Sequence, residues 1–144
     1  MTTDKDFIVL AHRGSGRPEN TIPAFDRAFR RGADGNEFDV RFLKDSDDLA
    51  VMHDRTVNRT TNGHGPVRGY VPESFTRLLA GDDVHVPLLS GVFQRYRYRY
   101  RDGKAIYNVE LKEKASFSKY SHLCCSTTWW NVRLCRHFTA KRII

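Results

Sequence analysis

An α/β domain built on a parallel sheet is the fold class that this chain predicts, and three observations point to it. "FIVLA" at 7–11 is a short continuous apolar run that stops at His12-Arg13-Gly14, the pattern of a strand buried on both faces that opens into a loop. A helix-like stretch follows, and then a second strand-like run, "NEFDVRFL" at 36–43. Strand, helix and strand in that order form the repeating unit of parallel α/β sheets. With 144 residues, the chain is long enough for one domain and one core of moderate size.

The elements follow from local chemistry. In "NTIPAFDRAFRRGADG", Thr21 stands where a helix cap is needed and Pro23 falls in the first turn, where its missing N–H matters least. Ile22, Phe25, Ala28 and Phe29 recur at helical spacing, and Arg30, Arg31 and Gly32 close the segment. In the second strand a period of two sets Glu37 and Asp39 on one face and Phe38 and Val40 on the other. Two carboxylates sharing a face repel each other and lose hydration, so a positive group is expected between them. "KDSDD" (44–48) is a turn signal, and "LAVMHD" (49–54) returns as the second arm of a hairpin, which brings His53 level with Asp39.

From Arg55 a long polar loop near the site gives way to a helix around "PESFTRLLAG", ending at Gly81. Leu89, Val92, Phe93 and Tyr96 mark an amphipathic helix over 87–96. The run "RYRYRYR" (95–101) reads as the end of that helix followed by a solvated loop, with arginines complementing its dipole and tyrosines covering the core edge. No nucleic-acid recognition fold accompanies it, so no nucleic-acid partner is expected. "AIYNVEL" (105–111) is a further strand, carrying Glu110 with Lys112 just beyond it.

Charge divides the chain unevenly. The net charge is +7, yet residues 1–114 hold 19 lysines and arginines against all 17 acids, whereas 115–144 hold five basic residues and no acid. The same tail holds Cys124, Cys125 and Cys135 and both tryptophans, Trp129 and Trp130. These cysteines have neither a disulfide framework nor a zinc-ligand spacing, and read as free thiols. The abrupt change of composition makes 115–144 a divergent basic tail of the kind produced by translation out of frame or by a disrupted gene. The N-terminus lacks a basic leader followed by an apolar segment, and no run approaches the ~20 apolar residues of a membrane span. A cytoplasmic protein without a membrane span is expected.

His12 and His53 each end an apolar strand, whereas His64, His85, His122 and His137 sit in polar or unpatterned segments and receive no role. With Glu37, Asp39 and Glu110 the two histidines make a set of imidazoles and oxygen ligands at strand ends, where α/β folds place their sites. Three carboxylates without a thiolate suit a hard divalent cation, Mg²⁺ or Ca²⁺. Arg13 and Lys112, neighbours of that set, suit an anionic substrate.

Four ordered segments, "AHRGSGRPENTIPAF", "GADGNEFDVRFLKD", "VMHDRTVNRTTNGHG" and "YNVELK", resemble the glycerophosphodiester phosphodiesterase family. The resemblance spans residues 7–114 and implies the N-terminal portion of a TIM (β/α)8 barrel of the phospholipase-C-like phosphodiesterase type. It is incomplete, because a whole barrel takes about 250 residues. The resemblance implies hydrolysis of a small glycerophosphodiester to glycerol 3-phosphate and an alcohol, within lipid and glycerol metabolism. By the family pattern His12 and His53 form the acid–base pair, while Glu37, Asp39 and Glu110 hold the metal. Arg13 and Lys112 contact the phosphate, and Glu19 and Asn20 support the site. Asn36 departs from that pattern, which places an aliphatic residue there facing the helices; the amide lowers stability unless it is hydrogen-bonded. Without later strands the sheet keeps open edges, through which copies are expected to self-associate.

Overall fold

The computed structural model describes residues 7–101, 105–113 and 132–135. Along them run β1 (Leu10–His12), α1 (Ile22–Arg30), β2 (Gly35–Phe42), β3 (Leu49–Val51), α2 (Pro72–Phe75), α3 (Leu89–Arg101), β4 (Ile106–Leu111) and β5 (Val132–Cys135). β1, β2, β4 and β5 lie side by side in that order and are parallel, and β3 pairs antiparallel with β2. One edge of β2 meets β4, and the other meets β1 at Gly35–Glu37 and β3 at Val40–Phe42.

β2 is therefore the central strand, and all its residues are buried. β1 is shorter and less buried than its apolar run suggests: it starts at Leu10, and Phe7 and Ile8 remain 65% and 60% exposed. Among the described residues β1 is hydrogen-bonded on one side only.

Helix α1 forms as its local signals dictate. Thr21 Oγ1 accepts a hydrogen bond from the Ala24 N–H, and Ala24, Phe25 and Ala28 point into the core. The turn before it depends on Gly14, at φ +84°, where an added Cβ would lie 2.7 Å from the Ala24 Cβ. Only glycine takes both that dihedral and that approach without strain.

The main core lies between the sheet and its helices, with Phe25 of α1 and Leu89, Val92, Phe93 and Tyr96 of α3 packed on Phe38, Val40, Tyr107 and Val109. Burying each such side chain contributes roughly 1.5–3 kcal/mol. α3 runs on to Arg101, so the whole arginine–tyrosine run is helix, with no part of it a loop. Tyr96 donates to Asp26 Oδ1 at 2.7 Å, Arg95 reaches Asp26 Oδ2 at 3.1 Å, and the Arg99 guanidinium lies 4.9 Å from the Phe29 ring centroid. These contacts fasten the extended helix to α1.

The segment before α3 is also more ordered than a polar loop. Leu43, Met52, Val57, Val67, Phe75, Leu78 and Val86 form a second cluster beneath it. The helix expected around "PESFTRLLAG" shrinks to the single turn of α2, because Leu79 pairs with His85 in an isolated bridge and Leu78 turns back into the cluster. β5 lies in the tail, where no periodic pattern pointed to a strand. Cys124, Cys125, Trp129, Trp130, His122 and His137 lie outside the described residues. No described helix is long and apolar enough to cross a membrane.

The register of the hairpin differs by one residue from the sequence reading. Val40 pairs with Val51, and the Met52 N–H donates to the Asp39 carbonyl at 2.9 Å, so Met52 and not His53 stands level with Asp39. The connection 43–48 sets this register, with Asp45 in the left-handed region at φ 49°. β3 ends before His53, which is then held by other contacts.

Asn36 is fully buried on the helix-facing side of β2, in register with Ala11 and Tyr107, and neither its amide nitrogen nor its oxygen has a hydrogen-bond partner. An unpartnered buried amide costs about 1–3 kcal/mol. Asn36→Val, which suits a central strand, is expected to raise stability by about 1–2 kcal/mol, read as a higher urea midpoint at unchanged slope. A lower midpoint would mean that the amide is satisfied.

Candidate active site

The register of three strands assembles the polar set. β1, β2 and β4 place His12, Glu37 and Asn108 in one row across the sheet and Asp39 and Glu110 in another, two residues further on. Period two then puts both rows on one face. Ligand oxygens of Glu37, Asp39 and Glu110 lie within 4.8 Å of one another. Asp39 is fully buried and Glu37 nearly so.

The positive groups demanded by that crowding come from the loop after β1 and from the end of β4. Arg13 Nε lies 3.2 Å from Asp39 Oδ2, and Lys112 Nζ lies 3.0 Å from Asp39 Oδ1 and 2.7 Å from Glu110 Oε1. Both contacts to Asp39 are close charge pairs. The Arg13 backbone N–H also donates to Glu37 Oε2 at 3.2 Å. Asn20 donates its amide to Asp39 Oδ2 at 3.0 Å. Arg13 and Asn20 both adopt left-handed dihedrals, at φ 54° and 57°, and the Asn20 N–H closes the turn by donating to the Arg13 carbonyl at 2.9 Å. Glu19 accepts from Arg13 Nη1 at 3.1 Å and so orients the guanidinium.

These cations do not fully balance three carboxylates. Burial first, and then Asp39 and Glu110, push Glu37 up to about 7. On Lys112 burial works against the charged form, but Glu110 and Asp39 outweigh it and hold the ammonium above the usual lysine range. His12 has its Nε2 3.9 Å from Glu37 Oε2. It is held below the ordinary histidine value by burial first and by Arg13 second. A residual negative potential walled by oxygen donors fits a hard divalent cation.

A pH signature follows for the cation-free protein. Glu37 ordinarily titrates at 4.5 and does so here near 7, so between those values the folded state binds more protons than the unfolded state. The contribution is fully present below the unfolded value and disappears as pH rises through the folded one. Stability is expected to fall by up to about 3 kcal/mol between pH 4.5 and 7, measured as urea midpoints. Glu37→Gln should flatten the slope; an identical slope in that variant would assign the effect elsewhere.

His53 joins the set through its neighbours. Its Nδ1 lies 2.7 Å from Asp54 Oδ1, and its carbonyl accepts two hydrogen bonds from Arg41, from Nε at 2.9 Å and from Nη2 at 2.6 Å. Arg41 follows Glu37 and Asp39 in the period-two series and is itself buried. Arg59 donates to Asp54 and to Glu19. A cavity of about 390 Å³ opens beside this loop, lined in part by Arg17, Glu19, Arg59 and Asp82. Asp54, Arg41, Arg59 and Asn108 were not in the sequence-derived set. Asp54 adjoins His53 and Arg41 continues an alternation already used, so both left a signal; Arg59, in a polar loop, left none.

Parallel strands with helices between them and a polar site gathered on one face of the sheet define an α/β protein. Residues 12–144 match the Glycerophosphoryl diester phosphodiesterase family, and the chain belongs to it. A Glycerophosphodiester phosphodiesterase of Caldanaerobacter subterraneus subsp. tengcongensis is 42% identical over 73% of this chain and 45% of its own length. The crystal structure of glycerophosphodiester phosphodiesterase from Agrobacterium tumefaciens superposes with a TM-score of 0.76 at 33% identity, covering 89% of this chain and 57% of that one. A phosphodiesterase of Oleispira antarctica, solved in complex with the product sn-glycerol-3-phosphate, superposes with a TM-score of 0.72 at 25% identity over 89% of this chain and 56% of that one. The chain thus spans about half the length of these relatives, and its open sheet corresponds to about half of their TIM barrel.

Proposed function

We propose that the chain carries the catalytic set of a cation-dependent phosphodiesterase that hydrolyses glycerophosphodiesters to glycerol 3-phosphate and an alcohol. The observation that carries this reading is the juxtaposition of Glu37, Asp39 and Glu110 with Arg13, Lys112 and the His12 imidazole on one face. The three carboxylates would hold the cation, Mg²⁺ or Ca²⁺, which when bound supplies positive charge to the phosphoryl oxygens. Arg13 and Lys112 add fixed positive charge where the transition state gathers negative charge. Glu19 and Asn20 keep Arg13 and Asp39 in place. The 2-hydroxyl of the substrate attacks phosphorus, expelling the alcohol and leaving a cyclic phosphate that water opens. Of His12 and His53, one takes the hydroxyl proton and the other gives a proton to the leaving alkoxide. The product bound to the Oleispira antarctica relative is of the kind this reading predicts.

The test is release of glycerol 3-phosphate from glycerophosphocholine and its glycerol, ethanolamine and inositol counterparts, with Mg²⁺ or Ca²⁺ supplied. In a second reading the chain holds the cation through the same three carboxylates without turnover. Cation binding without product from any of these substrates would select the second reading.

A further inference from the structure

A continuous chain of charged groups links the two ends of the site. Arg13 Nη1 lies 3.1 Å from Glu19 Oε1, and the same oxygen lies 2.7 Å from Arg59 Nη2. Arg59 also meets Asp54 with Nε at 2.6 Å from Oδ2 and with Nη2 at 3.0 Å from Oδ1. Asp54 Oδ1 in turn lies 2.7 Å from His53 Nδ1. One planar guanidinium therefore holds both oxygens of the carboxylate that faces His53 and one oxygen of the carboxylate that faces Arg13.

We propose that Arg59 is a positioning residue that sets His53 through Asp54 and Arg13 through Glu19. The proposal rests on the reading of the chain as a phosphodiesterase. A fork grips a carboxylate at two points and removes its rotation, which a single ammonium cannot do. With both Asp54 oxygens held, the oxygen facing His53 accepts the ring N–H, so His53 carries its proton on Nδ1 and presents Nε2 for proton transfer. The Arg59 hydrogen bonds are also the first cause that keeps Asp54 well below the usual carboxylate range, so it remains an acceptor. The Arg59 side chain is 45% exposed, and an exposed ion pair adds little to stability. Its effect lies in geometry: it ties the loop after β3 to the loop after β1, which separately supply His53 and Arg13.

The experiment compares Arg59→Met and Arg59→Lys with the parent chain, with turnover measured in saturating cation and the His53 tautomer read by ¹⁵N NMR of the ring. Arg59→Met is expected to lower kcat roughly 10- to 100-fold, the usual effect of losing a group that orients a site residue. It should also move His53 from the Nδ1–H form to a mixture with the Nε2–H form. Arg59→Lys, which keeps the charge but not the fork, should recover part of both. A residue with only a structural role would change the thermal midpoint and leave the tautomer and the kcat of folded protein unaltered. The proposal is overturned if His53 keeps one tautomer in both variants, or if Arg59→Met turns over within about twofold of the parent. If the parent itself shows no turnover, the phosphodiesterase reading fails alone, and the NMR comparison still decides the role of Arg59. If Arg59→Met does not fold, Arg59→Lys gives the same decision.

Discussion

Chelation of divalent cations is expected to abolish turnover, and Glu37→Gln or Glu110→Gln to lower it by about 10³-fold at fixed cation. Charge stabilisation by a bound cation is worth several kcal/mol in the transition state, and each 1.36 kcal/mol is a factor of ten in rate. The oxygens of Glu37, Asp39 and Glu110 lie close enough to share one ion, and an amide in place of either glutamate removes a negative donor without changing the side-chain size. Calorimetric titration with Mg²⁺ and Ca²⁺ should show weaker binding in step with the loss of rate. Because Glu37 is pushed up to about 7, binding in the parent should release protons and strengthen as pH rises from 6 to 8. Unchanged cation affinity and unchanged turnover in Glu37→Gln would remove the carboxylates from the mechanism.

Replacing His53 with Gln is expected to lower kcat by roughly 10²- to 10⁴-fold, the range for losing a general acid or base, with KM changed less than about threefold. Glutamine has similar reach and can hydrogen-bond to Asp54, but it cannot transfer a proton. The Arg41 fork grips the His53 main-chain carbonyl, so the backbone should keep its path in the variant. His12→Gln should show a comparable loss. His12 also lies 3.9 Å from Glu37, so its replacement is expected to alter cation affinity as well, whereas that of His53 is not. A His53→Gln variant as fast as the parent would exclude the imidazole from proton transfer.

Much of this architecture was legible because the signals are local. α1 carries its cap, its first-turn proline and its apolar spacing within a dozen residues. Glu37 and Asp39 had to share a face because β2 alternates, and the need for a nearby positive charge followed from repulsion alone. Arg13 and Lys112 meet that need. The family resemblance, and not a local signal, marked Asn36 as an amide where an aliphatic residue is usual, and it is buried without a partner.

What was not legible depends on neighbours distant in the chain. Phe7 and Ile8 precede the first residue of β1 and stay exposed, and α2 is one turn long because a second apolar cluster draws Leu78 inward. The sequence by itself determined the residue types of the site and their order along the strands, since strand period and charge repulsion act over a few residues. Only the tertiary structure decided the register that puts Met52 and not His53 opposite Asp39. It alone decided the reach of Arg59 across to Glu19, 40 residues away in sequence. Register is set by turn geometry, and a long side chain in a polar loop gains a partner only when folding brings two loops together.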